Sequence, residues 1–290
     1  EEPRLFISDI FREKKKSFET PGIERFPGRT RAFLKVQDGC NYACTFCIIP
    51  RARGRSRSLE IDEIIKRMET LAEAGYKEIV LTGVHIASYG RDIGTTFPEL
   101  IRRIDEARVV GRVRLTSLDP ADMDESFVRQ IAASETICPQ FHVALQSGDA
   151  NILKRMRRRY APERFLEMTG LIRETMPDAA IGSDIMVGFP GETDEEFANN
   201  CETAGNSALT YFHVFPYSRR RETPAAAMPD QVRPDIIRER SNALRAIGVR
   251  KKKEFYSSFI GRTLPVLVES GNTGTTHNYI SVRIPGGDFK

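Results

Sequence analysis

Residues 32–47 read AFLKVQDGCNYACTFC. Ala32 to Gln37 is strand-like and runs straight into three cysteines, Cys40, Cys44 and Cys47, at the spacing C-x3-C-x2-C. Parallel β/α barrels build their active sites at the C-terminal ends of their strands. A strand that ends in a cluster of reactive side chains fits that plan, provided the rest of the chain repeats the unit.

It does repeat. Ile61, Ile64, Ile65, Met68, Leu71 and Ala72 fall on one helical face. Ser58 is placed to cap that helix, Glu60, Asp62 and Glu63 suit its positive end, and Gly75 can end it. Glu78 to Thr82 is a short apolar strand followed by a helix near 97–108. Arg112 to Ser117 is a strand with a helix near 125–133. Gln140 to Gln146 is a strand with helices near 150–157 and 162–175. Ala180 to Val187 is a strand, and Thr193-Asp194-Glu195-Glu196 makes a capping box for the helix after it. Tyr211 to Tyr217 is the last strand of the series. About six β/α units imply a parallel sheet with helices packed outside. No Gly-x-Gly-x-x-Gly turn follows the first strand, so an open or complete β/α barrel is expected over a doubly wound sheet. Beyond Pro234 a helix is expected to about Phe259, then two alternating strands, Leu264 to Glu269 and Tyr279 to Ile284. Residues 1–28 carry two Pro-Gly breaks and read as a linker or lead-in. The expected organisation is 1–28 lead-in, 29–222 partial barrel, 223–262 helical extension and 263–290 small β module.

Composition narrows the function. The 290 residues are 40% hydrophobic and 29% charged, which suits one large domain plus an appendage. No apolar run approaches the roughly 20 residues of a membrane-spanning helix, so no membrane association is expected. Three of the five cysteines lie within eight residues. An odd, clustered set fits metal binding in a reducing compartment, the cytoplasm, better than a disulfide framework. Cys138 and Cys201 read as ordinary buried or surface residues. The net charge is only +4, yet the cations are clumped at Arg51, Arg53, Arg55 and Arg57, at Lys154 to Arg159, at Arg219 to Arg221, and at Arg250 to Lys253. Solvated helix faces explain any one block; four together point to an anionic partner such as RNA.

Three thiolates on one loop can ligate three irons of a cubane and leave the fourth open. The amino and carboxylate groups of S-adenosylmethionine can occupy that open iron, so that one electron breaks a carbon–sulfur bond and gives a 5′-deoxyadenosyl radical. A zinc site is the competing reading. Structural zinc takes four ligands, and His85, His142, His213 or His277 would have to complete it.

Beyond the cysteines, the stretch Lys35 to Pro50 followed by Arg51-Ala52-Arg53-Gly54-Arg55 resembles the radical S-adenosylmethionine methylthiotransferases. So do Leu145-Gln146-Ser147-Gly148, Met156 through Arg158 to Tyr160, Asp184 through Gly188 to Thr193, and Phe215-Pro216-Tyr217-Ser218, in the family's order. The resemblance spans residues 29 to about 284. It implies a partial (β/α)6 radical-SAM barrel, a 4Fe–4S cluster held by Cys40, Cys44 and Cys47, and S-adenosyl-L-methionine as cosubstrate. It also implies Phe46 against the adenine, Gly83 leaving room for the methionine amino group, and Gln146, Ser147, Arg158 and Asp184 near ribose or carboxylate. Arg158 has a forked guanidinium suited to a carboxylate, with an RNA phosphate or plain solvent as its other readings. Asp184 can instead satisfy neighbouring backbone, and Phe215 can be core as readily as an adenine contact.

The family acts on an adenosine beside the tRNA anticodon or on a ribosomal protein. Thr82 to Gly90 and Phe212 to Ser218 look most like the branch that methylthiolates carbon 2 of threonylcarbamoyladenosine. The isopentenyladenosine branch tends to have Gln-Asn after the glycine. The implied partners are the tRNA anticodon stem-loop and an electron donor such as a flavodoxin or ferredoxin. Residues 274–279 resemble the start of a TRAM module, an RNA-binding β barrel, here short and incomplete near Ser270 to Asn272. His277 and Tyr279 can stack on RNA or pack within that module. The family's N-terminal domain carries three further cysteines for a second 4Fe–4S cluster, expected only in a full-length protein. The chain begins at Glu1 without matching that domain, as in a truncated version.

Overall fold

Each short apolar strand is followed by a helix with one apolar stripe, and the two bury each other when strands lie side by side with helices outside. The computed structural model has that arrangement and describes residues 28–269 and 271–286. All but the last residue of the expected lead-in, and Ser270 in the C-terminal module, lie outside the described residues.

The first half runs β1 (Arg31–Lys35), β2 (Gln37–Asp38), α1 (Ile49–Arg53), β3 (Arg57–Ser58), α2 (Ile61–Glu73), β4 (Glu78–Thr82), α3 (Phe97–Ala107), β5 (Val113–Leu115) and α4 (Glu125–Ala133). The second runs β6 (Gln140–His142), α5 (Ala150–Arg155), α6 (Pro162–Thr175), β7 (Ala180–Val187), α7 (Asp194–Asn206), β8 (Tyr211–Pro216) and α8 (Pro234–Ser257). A terminal sheet follows, of β9 (Val266–Glu269), β10 (Thr273–Thr276) and β11 (Ser281–Arg283). The orders β1-β4-β5 and β6-β7-β8 are all parallel. Bridges from Val113 to Ile137 and from Leu118 to Val143 join them into one six-stranded arc. This is the expected partial (β/α)6 barrel.

The register puts Leu34 beside Leu81 and Leu81 beside Leu115. With Ala32, Ile79 and Val113 they form the outward strand face that meets the helices in the main core. Alternation then turns Lys35, Glu78, Thr82 and Arg114 to the inner face. On α2, Ile64, Met68 and Leu71 are buried against that core, each contributing about 1.5–3 kcal/mol. Met68→Ala would cost about 2–5 kcal/mol by leaving a cavity. The capping box at Thr193 forms as the sequence predicts: Thr193 Oγ1 accepts from Glu196 N, and the Glu196 carboxylate accepts from Thr193 N.

Some expectations are corrected. Glu60, not Ser58, stands at the N-cap of α2, without a side-chain capping bond. Ser58 is drawn into β3 opposite Gln37, and its hydroxyl donates to Asp92 Oδ1 at 2.7 Å while accepting from Gly90 N. The strand expected to Gln146 is continuous only through His142; isolated bridges then join Val143 to Leu118 and Gln146 to Ile185, and the chain turns at Gln146, where φ is +62°. The C-terminal module has an additional central strand, β10, between β9 and β11. It reads Thr-Gly-Thr-Thr and lacks apolar alternation. A Cβ on Gly274 would come within 2.4 Å of Val266, so the glycine lets the strands meet.

Candidate active site

The cysteine loop leaves β1 at the C-terminal mouth of the arc. Its base is closed by the two-residue ribbon in which Gln37 faces Ser58 and Asp38 faces Arg57. At Gly39 the backbone takes φ +70°, and a Cβ there would lie 2.1 Å from the Arg55 carbonyl oxygen, so only glycine fits the closure. Cys40 N donates to the Gly54 carbonyl at 3.1 Å. Thr45 fastens the middle of the loop: its N donates to Met156 O at 3.1 Å and its hydroxyl to Arg155 O at 2.9 Å. Its own carbonyl accepts from Ala225 N at 2.9 Å. The loop is therefore anchored to segments 110 and 180 residues away, which holds the three sulfurs in place.

The thiols sit in different fields. Cys44 is buried and Cys40 and Cys47 are half-buried. Burial pushes Cys40 up, but hydrogen bonds from His85 and from Tyr42 N (3.4 Å) outweigh it and leave the thiol below its ordinary value. Burial raises Cys44, and Arg158, whose Nη1 donates to its Sγ at 3.2 Å, only partly offsets this. Burial also raises Cys47, opposed chiefly by the Ile49 backbone N–H. His85 Nε2 lies 2.9 Å from Asp122 Oδ2. Burial disfavours the charged imidazole, yet Asp122 and Cys40 together hold it up to about 9. Asp122 also accepts from Tyr42 Oη at 2.8 Å and from Arg91 Nη2 at 2.6 Å. Despite burial, these partners keep its carboxyl far below the usual range.

The remaining sequence candidates gather at or near this mouth but differ in what they can offer. Arg158 is paired with Asp119 and lies 5.0 Å from the Tyr160 ring centre. Phe46 packs against a small apolar cluster of Ile152, Leu153, Met156, Tyr160, Phe189 and Ala225. Asp184, on the inner face of β7, has a carboxylate oxygen 3.3 Å from His142 Nε2. Gln146 exchanges backbone hydrogen bonds with Asp184 and Met186 at the strand mouth. Phe215 is 49% exposed at the end of β8 and is not core. Ser147 is fully buried, and its hydroxyl accepts from Asp149 N at 3.2 Å. Beside Gly83 the space holds Gln37: a Cβ on Gly83 would come within 2.9 Å of Gln37 Oε1, which itself accepts from His85 N. Asp119, Asp122, Tyr42 and Arg91 belong to the site but escaped the sequence reading. Their one signal is a pair of acidic residues just beyond the C-terminal end of a strand.

The donors fit a cubane. Among the described residues no group of three or more His, Cys, Asp or Glu side chains is placed to hold a single metal ion, whereas a cubane takes one thiolate on each of three irons. Of the four histidines only His85 touches the cysteine loop. His142 and His213 lie in the arc's interior, ring centres 6.4 Å apart, and the His277 carbonyl accepts from Arg114 near the opposite end. Among the described residues, Arg57 Nε, His85 Nε2, Arg155 Nε, Arg158 Nε, Glu192 Oε1 and Tyr217 Oη are buried without hydrogen-bond partners. Each belongs to the cysteine loop or to a segment beyond a strand's C-terminal end.

A parallel arc with three thiols at its mouth is the architecture of the radical S-adenosylmethionine class, and residues 34–204 match the model described as the Radical SAM superfamily. The methyltransferase TsrM from Kitasatospora setae, solved with cobalamin and a 4Fe–4S cluster, shares the fold at a TM-score of 0.57 and 20% identity, over 67% of this chain and 38% of that one. Methylornithine synthase PylB does so at 0.53 and 14%, over 75% and 62%. Among curated relatives, the threonylcarbamoyladenosine tRNA methylthiotransferases MtaB of Rickettsia prowazekii and Bacillus subtilis are 40% and 39% identical over 97% of this chain, covering 67% and 64% of their own lengths. The tRNA-2-methylthio-N(6)-dimethylallyladenosine synthase of Acetivibrio thermocellus is 39% identical over 87% of this chain and 52% of its own length. The chain belongs to the radical S-adenosylmethionine methylthiotransferases, transferases whose cofactors are a 4Fe–4S cluster and S-adenosyl-L-methionine. It spans about two thirds of the length of the MtaB relatives it matches.

Proposed function

We propose that this chain is the radical-generating core of a tRNA methylthiotransferase acting on carbon 2 of threonylcarbamoyladenosine beside the anticodon. The observation that carries the reading is the anchored trio Cys40, Cys44 and Cys47 at the strand mouth. It stands in a chain 38–40% identical over 97–98% of its length to three relatives named as threonylcarbamoyladenosine tRNA methylthiotransferases.

In this reading the three cysteines hold the cluster, which when bound supplies the electron that breaks a carbon–sulfur bond of S-adenosylmethionine. The chain's own part is to fix the sulfurs, shield them from water and receive the cosubstrate. Candidates for its contacts are Phe46, Gly83, Gln146, Ser147, Arg158, Asp184 and Phe215. Support for them is unequal: the Ser147 hydroxyl is engaged with Asp149 N, and Gln37 fills the space at Gly83. Exposed Phe215 offers a ring on which an unstacked base can lie. Two cationic blocks far apart in sequence meet beside the loop, where Arg51 Nη1 donates to Glu222 O at 2.9 Å. Arg55, Arg220 and Arg221 are exposed there and suit RNA phosphates. The assigned organisation is a barrel over 29–222, a helical extension over 223–262 and a partial TRAM-like RNA-binding module over 263–290. An external one-electron donor, a flavodoxin or ferredoxin, completes the reaction.

The test is anaerobic reconstitution with iron and sulfide, followed by S-adenosylmethionine and reductant. The expected result is about four irons per chain, broad visible absorbance and release of 5′-deoxyadenosine. One colourless zinc and no nucleoside would overturn the reading. Mass spectrometry of tRNA nucleosides from cells lacking the gene should show loss of the 2-methylthio group from threonylcarbamoyladenosine. Loss from dimethylallyladenosine instead would favour the second reading, which the similarity to the Acetivibrio enzyme supports.

A further inference from the structure

Charge is distributed unevenly over the helices that wrap the arc. α7 carries four acidic residues and no basic one, and α2 four acidic against two basic. α3 and α6 each carry three against two. α8 reverses the balance, with seven Lys and Arg against three Asp and Glu. A strong excess of cations therefore stands on one helix, beside an acidic neighbour.

Two of the seven cations hold the helix in place. Arg240 is buried, and its guanidinium donates to Glu192 Oε2 at 2.8 Å and to Asp194 Oδ1 at 2.6 Å. Lys251 Nζ donates to Ser207 O at 2.8 Å. Together they fasten α8 to the two ends of α7. Leu244 and Gly248 form the buried seam, Gly248 lying against the Phe212 ring of β8. On the flank beyond this seam, away from α7, stand Arg238, Arg245 and Lys252. Their seven-residue spacing puts them in one row down the helix, about 10 Å between neighbours. All three are exposed. Tyr256 continues the row, and its hydroxyl accepts from Ser281 N of β11 at 3.3 Å. At the other end Ile237 lies against Gly188, just past the C-terminal end of β7.

β8 is the last strand of the arc, and among the described residues no ladder joins it back to β1. Since α7 covers one side of α8, the row on the other side borders the gap between β8 and β1. It runs for about 21 Å, from the mouth that holds the cysteines toward the terminal sheet at the opposite end. An RNA whose target base is turned out toward the mouth presents a line of phosphates, and a line of exposed cations suits that polyanion. An acidic electron donor has to approach the cluster, whereas this row leads away from it.

We infer that Arg238, Arg245 and Lys252 form a track for the RNA backbone, which lays the stem of the tRNA along the open side of the arc between the cysteine mouth and the terminal sheet. The inference rests on the reading of the chain as a tRNA-modifying core and adds to it a surface separate from the rim.

The experiment is a salt titration of binding to a labelled anticodon stem-loop, followed by fluorescence anisotropy on the reconstituted chain. Arg238→Gln, Arg245→Gln and Lys252→Gln combined should lower the slope of log affinity against log salt by about 2–3, at roughly 0.7–0.9 per phosphate. Arg245→Gln alone should lower it by about 0.7–0.9, which keeps the test decisive if the triple variant is unstable. A control with the same loss of charge, Arg102→Gln, Arg103→Gln and Arg129→Gln on α3 and α4, should keep the wild-type slope. Iron content and 5′-deoxyadenosine release without RNA should not change in any variant. An unchanged slope in the α8 variants, or an equal fall in the control, would overturn the proposal and leave the tRNA reading standing. Slower reduction by a flavodoxin with an unchanged RNA slope would assign the row to the electron donor, and would overturn it as well. If wild type does not bind the stem-loop, the tRNA reading fails and the proposal falls with it.

Discussion

The two ends of strands β4 and β5 carry buried ionic networks of similar composition and opposite outcome. At the N-terminal end Glu78 is fully buried and accepts from Arg112 Nε at 2.8 Å and from Arg114 Nε and Nη2 at 3.0 Å. The remaining guanidinium donors reach the carbonyls of Thr275, Thr276 and His277 at 3.0–3.3 Å. Every charge finds a protein partner, and the last sheet is docked in consequence. At the C-terminal end the side chains of Asp119, Asp122, His85 and Arg158 are also largely buried, but Arg158 Nη1 donates to the Cys44 thiol, and among the described residues His85 Nε2 and Arg158 Nε are left without a hydrogen-bond partner. A closed network joins parts of the fold. An open one leaves donors aimed at what the site is built to receive.

The largest effect that can break this contrast is removal of the thiols. Cys40→Ser, Cys44→Ser or Cys47→Ser should each abolish cluster retention and cut 5′-deoxyadenosine release by more than the ~100-fold typical of losing an outer-shell partner, while circular dichroism stays native. Glu78→Gln probes the opposite end. Removing one member of a buried charge cluster costs about 3–5 kcal/mol, so chemical denaturation should show a large loss of stability while the folded variant binds iron as wild type does. Iron loss without destabilisation would erase the distinction between the two ends. The same residue gives the pH dependence its sign. Burial works against the Glu78 carboxylate, but Arg114 and Arg112 outweigh it and hold its value below the ordinary one. Its contribution is then complete above the ordinary glutamate range and is lost as the pH falls through the lower folded value. The stability gap between wild type and Glu78→Gln should narrow on acidification, and denaturation series at several pH values will measure it.

The same contrast explains what was legible in the sequence. Strands such as Glu78–Thr82 and helices such as Pro162–Thr175 were readable because apolar period and end signals agree over a local window. The cysteine trio was readable because its ligands lie on one loop. The networks were not, since Tyr42 and Asp122 are 80 residues apart and Arg112 meets Thr275 across 163. Ionisable residues carry no period that announces a partner. As a possible ligand His85 was weighed for zinc, although its Nε2 lies 2.9 Å from Asp122 Oδ2. Ser58 looked like a helix cap until pairing with Gln37 claimed it. Strand β10 stayed hidden because its register is set by neighbours on both sides and not by its own alternation.

A smaller effect tests whether the mouth's rim is an RNA surface. Arg55→Gln, Arg220→Gln and Arg221→Gln combined should leave iron content unchanged. If each cation meets one phosphate, the slope of log affinity against log salt for an anticodon stem-loop should fall by about 2–3, at roughly 0.7–0.9 per phosphate. An unchanged slope would move the RNA contacts away from this rim, toward the terminal sheet.

The smallest expected effect tests the anchoring of the loop itself. Thr45→Val is nearly isosteric and removes only the hydroxyl that donates to Arg155 O, leaving the backbone bonds to Met156 and Ala225 in place. One such bond is worth about 0.5–1.5 kcal/mol, and the stranded Arg155 carbonyl adds to the loss. Global stability should therefore fall by about 1 kcal/mol. The sharper consequence is local, because Thr45 follows Cys44 directly and its neighbours fix where two of the sulfurs stand. Hydrogen exchange should quicken across residues 40–47 and remain as in wild type at Glu78 and Arg114. Equal quickening at both ends would mean that the loop and the docked sheet open as one unit, and the two networks would then be parts of a single cooperative core.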